Sequence, residues 1–104
     1  MNVTVLEDFE KVNGTSLKGY ISTTYAKLVE VFGEPTCEGD GYKIDAEWTL
    51  EFEDGTIATI YNWKNGRNYC GAGGMPVEMI TEWNIGGHDG DAHRYVLEKV
   101  LAAS

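Results

Sequence analysis

The sequence predicts an α+β domain in which two helices pack on one face of an antiparallel sheet of about four strands. Three observations lead to this prediction. Residues 45–53 alternate between apolar and polar side chains and are followed by a turn and a second β-like run. Apolar residues repeat at helical spacing once before and once after that hairpin. The length of 104 residues fits a single domain over residues 1–104, with the order strand, helix, hairpin, strand, helix.

The hairpin has the clearest pattern in the chain. In residues 45–53 one face carries apolar side chains and the other carries mostly carboxylates, as in a strand with one buried face. Asp54-Gly55 is typical of a two-residue type I′ turn, which predicts a return strand over residues 56–63. That loop length sets the apolar cross-strand pairs as Phe52 with Ile57, Leu50 with Thr59, Trp48 with Tyr61, and Ala46 with Trp63.

Each predicted helix has a recognisable beginning or end. The first follows Thr23 or Thr24, either of which can cap it, and it stops at Gly33 before Pro35. The second is predicted over residues 92–102, with Asp91 as its N-cap.

Three further segments read as strands. Residues 16–22 form one, and residues 3–9 form either another or a loose acidic terminus. Residues 77–85 alternate well enough for a third core strand, which leaves residues 86–90 as a loop before the last helix.

Composition excludes several classes of protein. Hydrophobic residues make up 42% and charged residues 24%, ordinary values for a folded domain. The N-terminus shows no secretory signal, and no run approaches the roughly 18 apolar residues of a membrane span. Cys37 and Cys70 match no metal or disulfide framework. The formal net charge of −9 argues against direct binding of nucleic acid or anionic membranes.

The acidic residues are concentrated in one part of the chain. Residues 30–54 contain nine carboxylates and one lysine, so this segment carries −8 of the total charge of −9. Strand geometry spaces neighbouring carboxylates on one face by about 7 Å, similar to phosphates along a nucleic-acid backbone. One interpretation is a protein-binding surface facing basic side chains; the other is a solvated face that keeps the sheet soluble. The predicted contacts are Glu47, Glu51 and Glu53, with Glu38, Asp40 and Asp45 at the rim.

A nucleotide-binding site is the alternative. Lys64, Arg67 and Tyr69 place cations beside an aromatic ring, and Gly86 and Gly87 precede a predicted helix start. The structural alternative is that the two cations are solvated. Gly86 and Gly87 are then favoured as turn residues, because positive φ costs glycine nothing.

Catalytic and metal chemistry find little support in the pattern. Cys70 has no histidine close in sequence, and the abundant carboxylates do not single out a catalytic pair. His88 and His93 lie near two aspartates, but the segment is typical of a strand-to-helix connection, and the two histidines would point in different directions if His93 lies in the first helical turn. The sequence therefore predicts a protein that is not an enzyme and needs no metal or cofactor.

Three segments carry a resemblance to a known group of proteins. Residues 19–35, residues 47–61 around Glu47-Trp48 and Phe52-Glu53-Asp54-Gly55, and residues 81–87 resemble small uncharacterised proteins encoded by tailed bacteriophages and prophages. The resemblance covers roughly residues 16–101 and carries no known active site. It implies a protein made in the cytoplasm of an infected bacterial host.

Small acidic phage proteins often inhibit host defence enzymes, and this analogy sets the functional expectation. We expect a non-enzymatic, anti-CRISPR-like or other anti-defence inhibitor. Its carboxylate-rich strand face would bind the basic surface of a host nucleic-acid-handling protein. The sequence leaves open whether a second copy of the chain covers the acidic face and forms a homodimer.

Overall fold

In the part of the chain that the structure describes, five antiparallel strands form one sheet, and two helices accompany it. The computed structural model describes residues 2–5, 14–35, 46–62, 73–74 and 76–103. The sheet order is β1-β3-β4-β5-β2. The elements, numbered along the chain, are β1 Val3–Val5, β2 Ser16–Ser22, α1 Tyr25–Phe32, β3 Glu47–Phe52, β4 Ile57–Tyr61, a 3₁₀ turn Val77–Met79, β5 Glu82–Gly87 and α2 Asp91–Ala102.

The α+β prediction is confirmed, but the predicted strand count was too low. The short strand β1 pairs with β3, with Val3 opposite Phe52, and forms one edge of the sheet. Strand β2 has the predicted bounds and forms the other edge. The remainder of the predicted 3–9 strand lies outside the described residues.

The hairpin exists, but its predicted register was wrong by one residue. Leu50 pairs with Ala58 instead of Thr59, and Glu51 pairs with Ile57. The loop has three residues, because Phe52 N–H donates to Thr56 O at 2.8 Å. Such a loop needs positive φ only at its glycine, and Gly55 has φ 92°.

The side chain of Asp54 stabilises this longer loop. Its Oδ1 accepts the Thr56 N–H at 3.0 Å, and its Oδ2 accepts the Tyr95 hydroxyl of α2 at 2.7 Å. Asp-Gly is compatible with both loop lengths, so the dipeptide alone could not set the register.

Helix α1 begins and ends as predicted. Thr24 is the N-cap, and its Oγ1 accepts the Lys27 N–H at 3.1 Å. Gly33 follows the last turn with φ 84°, and its N–H donates to Val29 O.

Helix α2 begins differently from the prediction. Asp91 is the first helical residue and Gly90 the N-cap, so the prediction of Asp91 as the cap was wrong. Asp89 Oδ1 instead accepts the Asp91 N–H at 3.0 Å, which places the capping carboxylate two residues earlier.

Both helices cover the same face of the sheet, and two tryptophans anchor α1 there. Trp48 and Trp83 are fully buried and meet edge to face with ring centroids 5.5 Å apart. Trp48 Nε1–H donates to Gly33 O at 2.8 Å, and Trp83 Nε1–H donates to Thr23 O at 3.1 Å. Since Thr23 and Gly33 flank α1, the two indoles fix both ends of the helix on the sheet. The rest of the buried core on this side includes Ile21, Leu28, Phe32, Leu50, Phe52, Ala58, Ile60, Ile85, Ala92, Val96 and Val100.

The last strand begins and ends later than predicted. Val77–Met79 is a 3₁₀ turn following Pro76, and Met79 is 64% exposed, so the predicted strand over 77–85 was wrong in its first half. Strand β5 continues through Gly86 and Gly87, which were predicted as loop residues. Among the described residues, positive φ occurs at Gly14, Gly33 and Gly55, so neither Gly86 nor Gly87 is required by turn conformation.

Candidate functional site

The sheet face opposite the helices, called the outer face below, holds the predicted acidic site. Directly opposed residues on neighbouring strands share a face, so the register defines its members. They are Thr4 on β1; Glu47, Thr49 and Glu51 on β3; Ile57, Thr59 and Tyr61 on β4; Glu82, Asn84 and Gly86 on β5; and Leu17, Tyr20 and Ser22 on β2.

The structure brings two of the three predicted contact carboxylates onto this face. Glu47 and Glu51 are both half-buried there and, being four residues apart on one strand, are separated by about 13 Å. Glu53 lies in the hairpin loop, where its Oε1 accepts the Asn2 N–H at 3.1 Å. The predicted rim residues Glu38, Asp40 and Asp45 lie outside the described residues.

The centre of the outer face is closed to solvent, whereas the sequence predicted a solvated face. Thr49 is 1% exposed, and Ile57 and Thr59 are each 6% exposed. Part of this difference comes from the register. Ile57 was predicted to lie on the helix-covered face, but the observed register places it on the outer face. A partner can therefore reach this face at its ends and not at its centre.

One end of the outer face carries a continuous row of polar side chains. Glu47 pairs with Tyr61, Tyr61 with Asn84, and Asn84 with Tyr20, so four residues from four adjacent strands lie side by side. We call Glu47, Tyr61, Asn84 and Tyr20 the tyrosine row. Tyr20 is 62% exposed and the other three are half-buried, so this row is more open than the centre.

The environment of the row favours a neutral Tyr61. Burial raises the pKa of the Tyr61 phenol, and the charge of Glu47 and the neighbouring Tyr20 raise it further. A hydrogen bond from Asn84 acts in the opposite direction without reversing the shift. Tyr61 therefore remains an uncharged ring at neutral pH.

A second polar pair lies beside the row. Ser22 Oγ is 2.9 and 3.0 Å from the two carboxylate oxygens of Glu82, and both residues are exposed. Glu82 adds a carboxylate from β5 to those of β3 on the same face.

Sequence reasoning missed four residues of this end of the face, namely Tyr20, Tyr61, Asn84 and Glu82. Tyr61 was assigned to the core because the assumed loop was one residue too short. Glu82 and Asn84 could have been found from the alternation with Trp83 and Ile85, which places them on the opposite face of β5.

The alternative nucleotide site is only partly described. Lys64, Arg67 and Tyr69 lie outside the described residues. A Cβ at Gly86 would lie 2.6 Å from Thr59 Oγ1, and one at Gly87 would lie 2.4 Å from Ala92 Cβ. Close packing therefore explains both glycines without a ligand.

The two histidines are placed differently and do not converge. His88 is in the loop after β5, whereas His93 on α2 lies over Gly19, with Nε2 3.0 Å from Tyr20 O. Within the described ranges, no three side chains of His, Cys, Asp or Glu come together in a way that could hold a metal ion.

A hydrogen-bonded cluster on the helix side ties the hairpin loop to α2. Tyr95 packs edge to face on Phe52 with centroids 5.2 Å apart and donates to Asp54. Hydrogen bonds from Tyr95 and Thr56 lower the pKa of the exposed Asp54 carboxyl. Arg94 lies 4.9 Å from the Tyr95 ring centroid and pairs with Asp91 at 2.8 Å. These contacts hold the hairpin loop against α2.

Comparison with known proteins yields no match among family models, curated proteins or solved structures. Among the described helices, none has the length and apolar character to span a membrane.

Proposed function

We propose that this chain is a non-enzymatic anti-defence protein that binds a basic surface of a host nucleic-acid-handling protein and blocks it. The observation that carries the proposal is the set of carboxylates on the outer face. Glu47, Glu51 and Glu82 project from two strands of one sheet, and Glu53 lies at its end. A rigid sheet presents these charges at fixed spacings, which suits a partner whose lysines and arginines normally hold phosphates.

The overall charge of the described residues supports an acidic binding surface. They include eleven carboxylates and four lysine or arginine residues. Two of those cations are engaged in ion pairs, Lys27 with Glu30 at 2.9 Å and Arg94 with Asp91 at 2.8 Å. Negative potential therefore dominates, and we expect it to accelerate encounter with a basic partner and to make that encounter sensitive to salt.

The biological part of the proposal rests on the phage resemblance. A phage-encoded inhibitor acting in the cytoplasm of the infected host would meet CRISPR effectors and other defence nucleases, whose nucleic-acid channels are lined with cations. An acidic sheet that enters such a channel would exclude its substrate without any chemistry of its own. Among the described residues no observation favours the alternative function of sequestering a nucleotide.

Charge reversal on the outer face tests the proposal. The variant Glu47→Lys/Glu51→Lys/Glu53→Lys should lose capture of a nucleic-acid-handling protein from host lysate, identified by mass spectrometry, and should no longer inhibit that protein. The matched control is Glu34→Lys/Glu78→Lys/Glu98→Lys, which changes the net charge equally at exposed positions away from the outer face.

Both variants should retain the wild-type circular dichroism spectrum. If the outer-face variant binds and inhibits as well as the wild type, the acidic-face mechanism is wrong. Equal loss of binding in both variants would show that net charge, and not this face, controls the interaction.

A further inference from the structure

We propose that the tyrosine row, together with Glu82, makes the outer face selective for arginine over lysine side chains of its partner. This inference rests on the proposed function and specifies the chemistry of the partner at that same face. The structural basis is that two carboxylates, Glu47 and Glu82, lie beside aromatic and amide groups of neighbouring strands.

Accessibility selects this end of the face. The central residues Thr49 and Thr59 are closed to solvent, whereas Tyr20 is 62% exposed and Ser22 and Glu82 are exposed. A side chain arriving from a partner can therefore reach the tyrosine row and Glu82, but not the centre of the face.

The spacing of the row suits a flat cation. Residues directly opposite on adjacent strands have Cβ atoms about 5 Å apart, so Glu47 is next to the Tyr61 ring, and Glu82 is one row from Tyr20. A guanidinium can donate two parallel hydrogen bonds to a carboxylate while its plane stacks on a neighbouring aromatic ring. An ammonium group is a compact, strongly hydrated point charge and gains less from such an arrangement.

Two of the groups around the exposed Tyr20 ring are held in place before a partner arrives. Asn84 hydrogen-bonds Tyr61, and Ser22 Oγ contacts both carboxylate oxygens of Glu82 at 2.9 and 3.0 Å. Because Tyr61 remains uncharged at neutral pH, its ring offers a neutral π face beside the negative Glu47. Binding therefore costs little ordering of Tyr61 and Glu82.

Two peptides of equal length and charge test the selectivity. Nonaarginine and nonalysine are titrated into the full chain by calorimetry at low salt. We expect nonaarginine to bind about two- to fivefold more tightly per engaged ring, the difference that an exposed cation–π contact produces. Tyr20→Leu should remove that part of the preference by weakening nonaarginine alone, whereas Tyr20→Phe should retain it because it keeps the ring.

The outcomes separate this inference from the proposed function. Equal affinity for the two peptides, or an unchanged preference in Tyr20→Leu, would overturn arginine selectivity while leaving the acidic face intact. If Glu47→Lys/Glu51→Lys/Glu53→Lys binds both peptides as tightly as the wild type, or if the wild type binds neither, the proposed function itself is wrong. A thermal melt of Tyr20→Leu that matches the wild type excludes unfolding as the cause of lost preference.

Discussion

Gly87 is the position where a single added methyl group should cost most on β5. The Cβ of a Gly87→Ala variant would lie 2.4 Å from Ala92 Cβ and 2.9 Å from Ile57 O, whereas carbon atoms in contact normally lie about 3.5–4.0 Å apart. One neighbour, Ala92, is fully buried in the first turn of α2 and the other is backbone of β4, so neither can rotate away. The helix must therefore move away from the sheet.

Overpacking of this kind costs about 1–3 kcal/mol, and a value of about 2 kcal/mol is reasonable when both neighbours are rigid. For a domain of this size each kcal/mol lowers the melting temperature by about 4–8 °C, so Gly87→Ala should melt roughly 10 °C below the wild type. At Gly86 the nearest atom is Thr59 Oγ1 at 2.6 Å, the end of a side chain, so Gly86→Ala should cost less.

Differential scanning calorimetry of both variants checks this order. Adding Ala92→Gly to Gly87→Ala removes the closest contact, although glycine in a helix costs up to about 1 kcal/mol. The double variant should therefore be more stable than the sum of the two single changes predicts. A Gly87→Ala protein that melts within about 2 °C of the wild type would refute the packing argument. If it also failed to bind a partner that the wild type binds, the binding site would have to include this end of β5.

Three further predictions concern the core, the hairpin loop and the outer face. Trp48→Phe loses the indole hydrogen bond to Gly33 O and leaves a partial cavity, so chemical denaturation should show a loss of about 2 kcal/mol or more; a change below about 0.5 kcal/mol would contradict that. Tyr95→Phe removes the hydrogen bond that most lowers the pKa of Asp54, so the Asp54 pKa, followed by NMR, should rise towards its ordinary value of 3.8. A carboxyl whose pKa is lowered in the folded state stabilises the fold at pH values above its unfolded pKa. The difference in stability between the wild type and Tyr95→Phe should therefore be full at neutral pH and should disappear as the pH falls below 3.8. Partner binding through the outer face should weaken steadily between about 50 and 500 mM salt, and salt-independent affinity would contradict the electrostatic mechanism.

Elements with their own end signals were predicted well from the sequence. Helix α1 has Thr24 before it and Gly33 after it, and the structure shows both in the expected roles. Helix α2 begins one residue earlier than predicted: Asp91 is its first residue, Gly90 is the N-cap, and Asp89 accepts the Asp91 N–H. The strand predicted over residues 77–85 was wrong in its first half because the prediction used alternation alone. It took no account of Pro76, which precedes a 3₁₀ turn.

Some residues of the candidate site can be placed from the pattern of one strand, and others can be placed only when the pairing of two strands is known. Alternation within β3 depends on β3 alone, so the prediction that Trp48 is buried and that Glu47 and Glu51 lie on the opposite face was confirmed. The faces of β4 depend on the loop length, and a shift of one residue exchanges them. The sequence of β4 does not show which face each of its residues occupies, because four of its five residues are buried and its pattern does not alternate.

Contacts that are distant in sequence add to the local hydrogen bond between Asp54 and Thr56 at the hairpin loop. Asp54 accepts a hydrogen bond from Tyr95, 41 residues away, and Tyr95 packs on Phe52 at the end of β3. These contacts favour the three-residue loop, and the resulting register moves Tyr61 from the core to the outer face beside Glu47. The carboxylates that suggest a basic partner could be found from local pattern, whereas the position of the Tyr61 ring, on which the proposed preference for arginine depends, is known only once the register of β4 is known.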